Sequence, residues 1–154
     1  MQDKRFLTWN EFSDLSEKLF EKIDKNSLDR ILCVGSGGLI LGKLAADYFG
    51  KELAVIMAKS YERGSYASTK KIRFGEISSI NPLEGRILLL DDLIENGITL
   101  AKLYSRIRRI ENVNRKIKTA VLFIKPGNKF KADYYVEETK DWIVFPYEKK
   151  EFAE

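Results

Sequence analysis

Short apolar runs alternate along this chain with longer stretches in which apolar residues recur at helical spacing. The strand candidates cover residues 30–34, 53–58, 87–90 and 119–124. Because each run is too short for a helix and lacks helical spacing, we interpret the runs as strands buried on both faces, as in a parallel sheet. The string Thr8-Trp9-Asn10-Glu11 fits a capping box that begins the first helix. The pattern therefore predicts an α/β fold with a mostly parallel sheet flanked by helices.

The run at 87–90 is followed by two adjacent carboxylates, Asp91 and Asp92, and then by a glycine-bearing turn at 95–99 that opens a helix. Ligands of open α/β sheets bind at the edge where the parallel strands end. The turn amides and the helix N-terminus favour an anion such as phosphate. The carboxylates suit sugar hydroxyls or a hard cation such as Mg²⁺. A phosphorylated ribose with Mg²⁺ could use all of these groups, whereas the alternative is two solvated aspartates before a helix cap.

A second glycine-rich turn, at 35–38, joins the first strand candidate to a helix predicted over 39–49, with Gly50 as its C-terminal cap. Three glycines let the backbone approach a ligand closely and offer N–H groups to an anion. A tight strand-to-helix turn explains the same residues equally well. Cys33, in the preceding strand, is expected to be a core residue rather than a nucleophile, because no activating base is apparent.

A polar segment from Glu62 to Lys71 follows the third strand candidate and the tripeptide at 59–61. This segment is longer than an ordinary turn. One interpretation is a lid that closes over a substrate and excludes water. The other is a disordered surface loop.

Two residues in the last third of the chain each allow a functional and a structural interpretation. Lys125 follows the run at 119–124, and in a parallel sheet it would lie at the same edge as the two glycine turns. A lysine there is otherwise a solvated strand end. Trp142 belongs to a residue type that is more often buried, although its flat indole could also stack on a purine.

Composition narrows the classes of function. At 154 residues, 44% of them hydrophobic, the chain fits one globular domain. Its net charge of +4 comes from 27 basic and 23 acidic residues, which helps to attract an anionic substrate but is weak support for nucleic-acid binding. The lack of histidine and the single cysteine exclude Ser-His and Cys-His triads and the usual zinc sites. With no signal-peptide pattern, no apolar run long enough to span a membrane and no possible internal disulfide, we expect a cytoplasmic protein.

The strand, acids and turn at 87–99 resemble the signature with which type I phosphoribosyltransferases bind 5-phosphoribosyl 1-pyrophosphate (PRPP). The string Ser-Gly-Gly-Leu at 36–39, the tripeptide at 59–61 and the tail at 142–148 are similar to further motifs of that family. The tail in particular resembles the xanthine-guanine and hypoxanthine-guanine enzymes, which act on 6-oxopurines.

This resemblance extends from about Trp9 to Glu148. It implies the three-layer fold of the type I phosphoribosyltransferases, with a mostly parallel twisted sheet between helices, in a single domain. The core would cover about residues 27–126, and a small hood would be formed by the N-terminal segment and about residues 127–150.

The resemblance also implies a role for each candidate site residue. The ribose hydroxyls and Mg²⁺ would be held by Asp91 and Asp92. The 5′-phosphate of PRPP would be bound by Glu95, Asn96, Gly97, Ile98 and Thr99. The pyrophosphate would be bound by Gly35, Ser36, Gly37 and Gly38. A flexible catalytic loop would begin with Lys59, Ser60 and Tyr61.

The purine base would stack on Trp142, with its exocyclic oxygen on Lys125 and its edge read by the backbone of Ile143. Glu95 would handle the proton on N7 of the base. The implied reaction is purine salvage, the transfer of the phosphoribosyl group to N9 of hypoxanthine, guanine or xanthine. The implied cofactor is Mg²⁺, and the implied partners are PRPP, a purine base and further copies of the chain in a homodimer or homotetramer, with no nucleic acid and no membrane.

The chain departs from the family pattern at three positions. Glu95 and Asn96 stand where the family usually has Asp and Thr, and Ser36 stands where it often has Arg. The loss of an arginine removes a strong phosphate partner. Two alternatives therefore stay open: a non-catalytic sensor of PRPP or nucleotide on the same fold, and a phosphoribosyltransferase for another base.

Overall fold

The computed structural model describes residues 2–61, 71–114 and 116–148. The helices within these ranges are α1 (Trp9–Glu21), α2 (Leu39–Phe49) and α3 (Ile98–Ile107). The strands are β1 (Lys4–Phe6), β2 (Arg30–Gly35), β3 (Glu52–Tyr61), β4 (Lys71–Ser78), β5 (Ile87–Ile94), β6 (Lys118–Ile124), β7 (Tyr134–Glu138) and β8 (Trp142–Val144). Short 3₁₀ turns cover Lys25–Ser27 and Pro146–Glu148.

Six strands form the main sheet in the order β4-β3-β2-β5-β6-β7. All neighbouring pairs are parallel except β3 and β4, which are antiparallel. The central position of β2 and β5 follows from their composition, because strands covered on both faces are nearly continuous apolar runs. The predicted α/β fold with a mostly parallel sheet is confirmed.

The edge strand β4 lies outside the strands that the apolar runs predict. None of its residues is fully buried, since its side chains alternate between exposed and half-buried positions. An edge strand of this kind carries no continuous apolar run. Its first residue, Lys71, is the last residue of the predicted polar segment. The prediction is wrong at this position, because Lys71 belongs to a strand.

Helices cover both faces of the sheet. On one face, α1 and α2 pack over a core cluster that includes Leu88 and Leu90 of β5. On the other face, α3 packs over a second cluster that includes Ile87 and Leu89. This alternation is the period of two expected along a strand, and it gives the predicted three layers.

A second, two-stranded sheet lies beside the main one. It is formed by β1 and β8, which pair in parallel with Lys4 opposite Trp142. The Arg5 guanidinium lies 2.6 Å from the Glu137 carboxylate and so connects β1 to β7. Neither three-residue strand was predicted, because each is specified by a partner at the other end of the sequence rather than by a local pattern.

The helix ends agree closely with the sequence prediction. The Thr8 hydroxyl accepts from the Glu11 amide at 3.1 Å, and the Glu11 carboxylate accepts from the Thr8 amide at 2.7 Å, which completes the capping box. Helix α2 spans the predicted residues and ends at Gly50, whose φ of 62° is left-handed. Helix α3 begins at Ile98, inside the predicted turn.

An ion pair joins the amino ends of the two central strands. The Asp29 carboxylate accepts from the backbone amide and the guanidinium of Arg86 at 2.8 to 3.0 Å. The side-chain hydrogen bond from Arg86 is the main reason why the pKa of Asp29 is lowered from 3.8 to about 2. This contact fixes β2 beside β5 at the edge opposite the candidate site.

Cys33 is a core residue, as predicted. It is fully buried and has no disulfide partner. Burial raises the pKa of its thiol to about 11, so the reactive thiolate is scarce at neutral pH. In the part of the chain that the structure describes, no helix is both long enough and apolar enough to cross a membrane.

Candidate active site

The site is organised around the carboxyl half of β5. This strand continues to Ile94, so Asp91 and Asp92 lie within it and not in a turn after it. The predicted end at Leu90 was wrong because pairing with β6 continues through Asp91 and Leu93. In the sequence, the polar residues Asp91 and Asp92 indicate the end of the strand. In the structure, backbone hydrogen bonds to β6 determine where the strand ends.

The two aspartates line different cavities. Asp91 lines a cavity of about 190 Å³ on the side of α3, here called the α3 pocket. Asp92 lines a cavity of about 180 Å³ beneath the two-stranded sheet, here called the hood pocket. Adjacent residues of a strand point to opposite faces, so one Asp-Asp pair supplies a carboxylate to each side of β5. Leu93 and Glu95 line both pockets and mark the place where they meet.

The wall of the α3 pocket is the turn at 95–97 and the N-terminus of α3, with Thr99 on its first turn. The Asn96 side chain accepts from the Ile98 amide, the first amide of the helix, at 3.0 Å. Gly97 has a φ of 86°, and a Cβ there would lie 2.4 Å from the Cβ of Phe130. Both the backbone angle and the close contact require glycine. The helix dipole and the turn amides make this pocket suitable for an anion.

The β2–α2 turn lies directly against the Asp92 carboxylate and the backbone of Asp91. A Cβ on Gly37 would come within 2.6 Å of Asp92 Oδ2, and a Cβ on Gly38 would come within 2.7 Å of the Val34 carbonyl oxygen and 3.2 Å of the Asp91 Cα. These glycines are therefore explained by close packing against β5. Ser36 is exposed on this turn, and the Gly35–Ser36 peptide bond is cis. The structure thus brings the two glycine turns and the two aspartates together, as the sequence predicted.

The carboxylates sit in surroundings that favour a cation. The pKa of Asp91 is raised well above 3.8, first by burial and then by the neighbouring charge of Asp92. Burial also raises the pKa of Asp92, although a hydrogen bond from Tyr147 opposes the rise. Both side chains keep partial contact with solvent.

The donor set fits Mg²⁺ better than a metal held wholly by protein. Among the described residues, no group of three or more His, Cys, Asp or Glu side chains is placed to hold a metal. Magnesium usually binds one or two carboxylates together with substrate oxygens and water. Asp91 and Asp92 are the pair that could supply those carboxylates.

The three residues predicted to bind a base line one cavity, the hood pocket. Trp142 is 46% exposed, so it is not the core residue that base rates favour. Ile143 is buried beside it. The Lys125 ammonium donates to the carbonyl oxygen of Asp141, and the Lys125 amide donates to the Ile94 carbonyl oxygen at 2.9 Å.

The start of the predicted flexible loop belongs to a strand. Lys59, Ser60 and Tyr61 form the end of β3 and pair with Arg73, Ile72 and Lys71 of β4. Ser60 lines the α3 pocket, as does Ile72. The predicted lid covers residues 62–71; residues 62–70 lie outside the described residues, and Lys71 belongs to β4.

Sequence reasoning missed several residues of this site. Gln2, Phe145 and Glu148 line the hood pocket, and the Tyr147 hydroxyl lies 3.0 Å from Asp92 Oδ2. Burial is the main reason why the pKa of Tyr147 is raised well above its usual range. The signal for these C-terminal residues was the resemblance of the tail at 142–148 to a family motif, which does not reveal what their side chains contact.

The chain is similar to purine phosphoribosyltransferases in sequence and in structure. The hypoxanthine/guanine phosphoribosyltransferase of Methanopyrus kandleri is 28% identical over 130 residues, which cover 82% of this chain and 66% of that protein, just under two thirds of its length. A purine phosphoribosyltransferase from Pyrococcus horikoshii is 31% identical, with a TM-score of 0.81 over 95% of this chain and 94% of that one. The xanthine-guanine-hypoxanthine phosphoribosyltransferase of Helicobacter pylori shares the fold, with a TM-score of 0.81 over 98% of this chain and 99% of that one at 22% identity.

A family-level match spans almost the whole sequence. The model of the phosphoribosyl transferase domain matches residues 4–149, which include both glycine turns, both aspartates and the hood. The protein therefore belongs to the phosphoribosyl transferase domain family.

Proposed function

We propose that this protein transfers the phosphoribosyl group of PRPP to N9 of a 6-oxopurine, which gives a nucleoside monophosphate and pyrophosphate. The observation that carries the proposal is the pair of pockets that meet at Glu95, one at a helix N-terminus and the other between a lysine and an exposed tryptophan. A phosphate and a purine would each find suitable groups there, with the ribose between them. We also propose that residues 1–154 form a single domain, with its core at about 27–126 and its hood from the N-terminal segment and about 127–150.

In this proposal the 5′-phosphate of PRPP lies in the α3 pocket. Amides and side chains of the turn at 95–99 bind it, helped by the dipole of α3. The ribose hydroxyls face Asp91 and Asp92, which lie on the two sides of β5. The glycine turn at 35–38 receives the pyrophosphate, because it packs against the Asp92 carboxylate and the backbone of Asp91.

Asp91 and Asp92 would hold Mg²⁺, directly or through water, together with oxygens of PRPP. When bound, the cation neutralises charge on the pyrophosphate as it leaves. Burial raises the pKa of both carboxyl groups, and the charge of Asp92 raises the pKa of Asp91 further, which is the arrangement that a cation would relieve.

The base lies in the hood pocket, stacked on Trp142. Lys125 is a donor only, so it selects an oxygen at position 6 over the amino group of adenine. It already donates to the Asp141 carbonyl oxygen, and an ammonium has further protons for the base oxygen. Ile143, beside the tryptophan, offers backbone groups to the base edge. Support for a purine also comes from the relatives named as purine enzymes.

The chemical step would proceed through an oxocarbenium-like transition state. Positioning of the two substrates and stabilisation of charge would supply most of the rate. Glu95 lines both pockets and is therefore near the place where the new bond forms. We assign it the transfer of the N7 proton of the base, a role that contributes about 10² to 10⁴ in rate.

The test is turnover with purified protein, PRPP and Mg²⁺, with hypoxanthine, guanine, xanthine, adenine and uracil in separate reactions. We expect nucleotide and pyrophosphate from one or more of the 6-oxopurines. A reaction without base and a reaction with a metal chelator are the controls. Product from adenine or uracil alone would overturn the base assignment.

The second candidate is a non-catalytic sensor of PRPP or nucleotide. The exposed Ser36 favours it, because serine is a weaker phosphate partner than the arginine of the family pattern. PRPP binding without product from any base would favour the sensor.

A further inference from the structure

One hydroxyl group connects three separate segments of the site. The Tyr147 hydroxyl oxygen lies 3.0 Å from the Gly37 carbonyl oxygen and 3.0 Å from Asp92 Oδ2. Tyr147 belongs to the C-terminal 3₁₀ turn, whereas its two acceptors belong to the β2–α2 turn and to β5. The partners are 110 and 55 residues away in sequence. A contact between such distant segments specifies their relative placement.

The ring of Tyr147 packs against other aromatic rings, which restrict where its hydroxyl can lie. It stacks on Phe145 at 5.3 Å with an interplanar angle of 3°. It meets the edge of Phe12 at 5.7 Å and lies 6.3 Å from the ring of Trp9. The Glu148 carboxylate accepts from the Phe145 amide at 3.0 Å and closes the turn. These contacts hold the ring in place, so the hydroxyl lies at a fixed position in the site.

Both neighbours of the hydroxyl are acceptors, and the phenol has a single proton to donate. It can donate to only one of them at a time, and the bond to an ionised Asp92 is the stronger one because it is charge-assisted. Gly37 has no room to move toward the carboxylate, since even a Cβ there would lie 2.6 Å from Asp92 Oδ2. Tyr147 and Gly37 thus hold the Oδ2 side of Asp92, and Oδ1 is the oxygen that Tyr147 does not bond.

We propose that Tyr147 is a positioning residue, which sets the orientation of the Asp92 carboxylate and of the Gly37 peptide for the binding of PRPP. The inference rests on the proposed function and deepens it. Phe145 and Glu148, which lie two residues before and one residue after Tyr147, line the hood pocket. A base seated there is in contact with the turn that carries the hydroxyl.

The proposal predicts a specific kinetic pattern for Tyr147→Phe, which removes the hydroxyl and keeps the ring. The KM for PRPP and the dissociation constant of PRPP with Mg²⁺ should rise about tenfold, the size expected for a hydrogen bond to a charged group. The KM for the base and the melting temperature should stay close to those of the wild type. A residue with a merely structural role would instead lower the melting temperature and would leave PRPP affinity unchanged.

Tyr48→Phe is the matched control. Tyr48 lies on α2 and packs against Phe20 and Phe49, so its substitution removes a hydroxyl from an aromatic cluster remote from Asp92. We expect wild-type kinetics and wild-type PRPP binding. An equal loss of PRPP affinity in both variants would overturn the proposal.

A double-mutant cycle tests whether Tyr147 acts through Asp92. Calorimetry with PRPP and Mg²⁺ gives the dissociation constants of wild type, Tyr147→Phe, Asp92→Asn and the double variant without any need for turnover. We expect the effect of Tyr147→Phe to fall below about twofold in the Asp92→Asn background. An undiminished effect would overturn the action through Asp92, even if Tyr147→Phe also loses stability.

Failure of this inference is distinguishable from failure of the proposed function. If the wild type binds PRPP and Tyr147→Phe binds it with the same dissociation constant, only the role of Tyr147 is contradicted. A wild type that neither binds PRPP nor forms nucleotide contradicts both. If the wild type binds PRPP but forms no nucleotide, the inference still concerns the affinity for PRPP. The double-mutant cycle then tests it.

Discussion

Glu95 is the residue at which the two pockets meet, and its side chain is one methylene longer than the aspartate of the family pattern. Replacing it with glutamine keeps the size and the hydrogen-bonding capacity but removes the base. We expect Glu95→Gln to lower kcat about a hundredfold, as for loss of a general base, with the dissociation constant of PRPP nearly unchanged. Steady-state kinetics and calorimetry measure the two quantities. Glu111→Gln, at an exposed position beyond the end of α3, is the control, and an unchanged kcat would remove Glu95 from proton transfer.

Lys125 decides the choice of base in the proposed function. Lys125→Ala removes the donor to the exocyclic oxygen, so kcat/KM for hypoxanthine should fall at least about tenfold. The inhibition constant of adenine should change much less, because adenine has no oxygen at this position. Lys102→Ala, at an exposed position on α3, should leave both quantities unchanged. If the affinity for adenine weakened by the same factor as kcat/KM for hypoxanthine fell, the substitution would act by removing the contact with the Asp141 carbonyl oxygen instead.

At the scale of the elements, the turn between β5 and α3 depends on Gly97 in two ways. Its φ is 86°, and a Cβ would also collide with Phe130. Gly50, at the end of α2, has a φ of 62° but no atom within 4 Å of the position of a Cβ. We expect Gly50→Ala to cost about 1 to 2 kcal/mol of unfolding free energy, the penalty of the left-handed backbone. Gly97→Ala should cost more and should also weaken PRPP binding, as urea unfolding and calorimetry would measure.

Equal unfolding free energies for the two alanine variants would contradict the contact with Phe130. Wild-type PRPP affinity in Gly97→Ala would contradict the placement of phosphate in the α3 pocket. Because Gly50 shares the backbone strain but not the contact, the difference between the variants isolates the effect of close packing.

The elements that could be predicted from the sequence are those whose own residues show an apolar run or a capping motif. β2 and β5 are apolar on both faces, and the first helix carries its capping box. β4 was missed because its residues are at most half-buried. The extension of β5 through the two aspartates was missed because it depends on hydrogen bonds to β6, which a local pattern does not contain.

At the scale of the whole molecule, the contact between Asp29 and Arg86 makes stability depend on pH. The pKa of Asp29 is about 2 in the folded protein, below its ordinary value of 3.8. The ionised carboxylate therefore stabilises the fold fully above about pH 4, and this contribution is lost as the pH falls from about 4 to about 2. Asp29→Asn should lower the unfolding free energy at pH 6, and the difference from the wild type should shrink as the pH approaches 2.

Urea unfolding at a series of pH values measures this difference. Asp14→Asn, at an exposed position on α1, is the matched control and should change stability little at any pH. A difference between Asp29→Asn and wild type that is constant from pH 6 to pH 2.5 would contradict the role of the ionised carboxylate.

The arrangement of the site at this scale was predicted only in part. The carboxyl ends of parallel strands meet at one edge, so the sequence could place both glycine turns, the aspartates and Lys125 together. It could not place Tyr147, whose contacts with Gly37 and Asp92 arise only when the C-terminal turn folds back over the sheet. Nor could it assign the two aspartates to separate pockets, because it ended the strand before them.

That separation has a consequence for the design of inhibitors. A compound that fills the hood pocket and one that fills the α3 pocket occupy different sides of β5 and need not displace each other. Both would reach the junction at Leu93 and Glu95, so a short, stiff linker could pass around the end of the strand. Joining two weak fragments in this way makes the second binding event intramolecular, and a linker matched to the span gains affinity through effective concentration without any new contact.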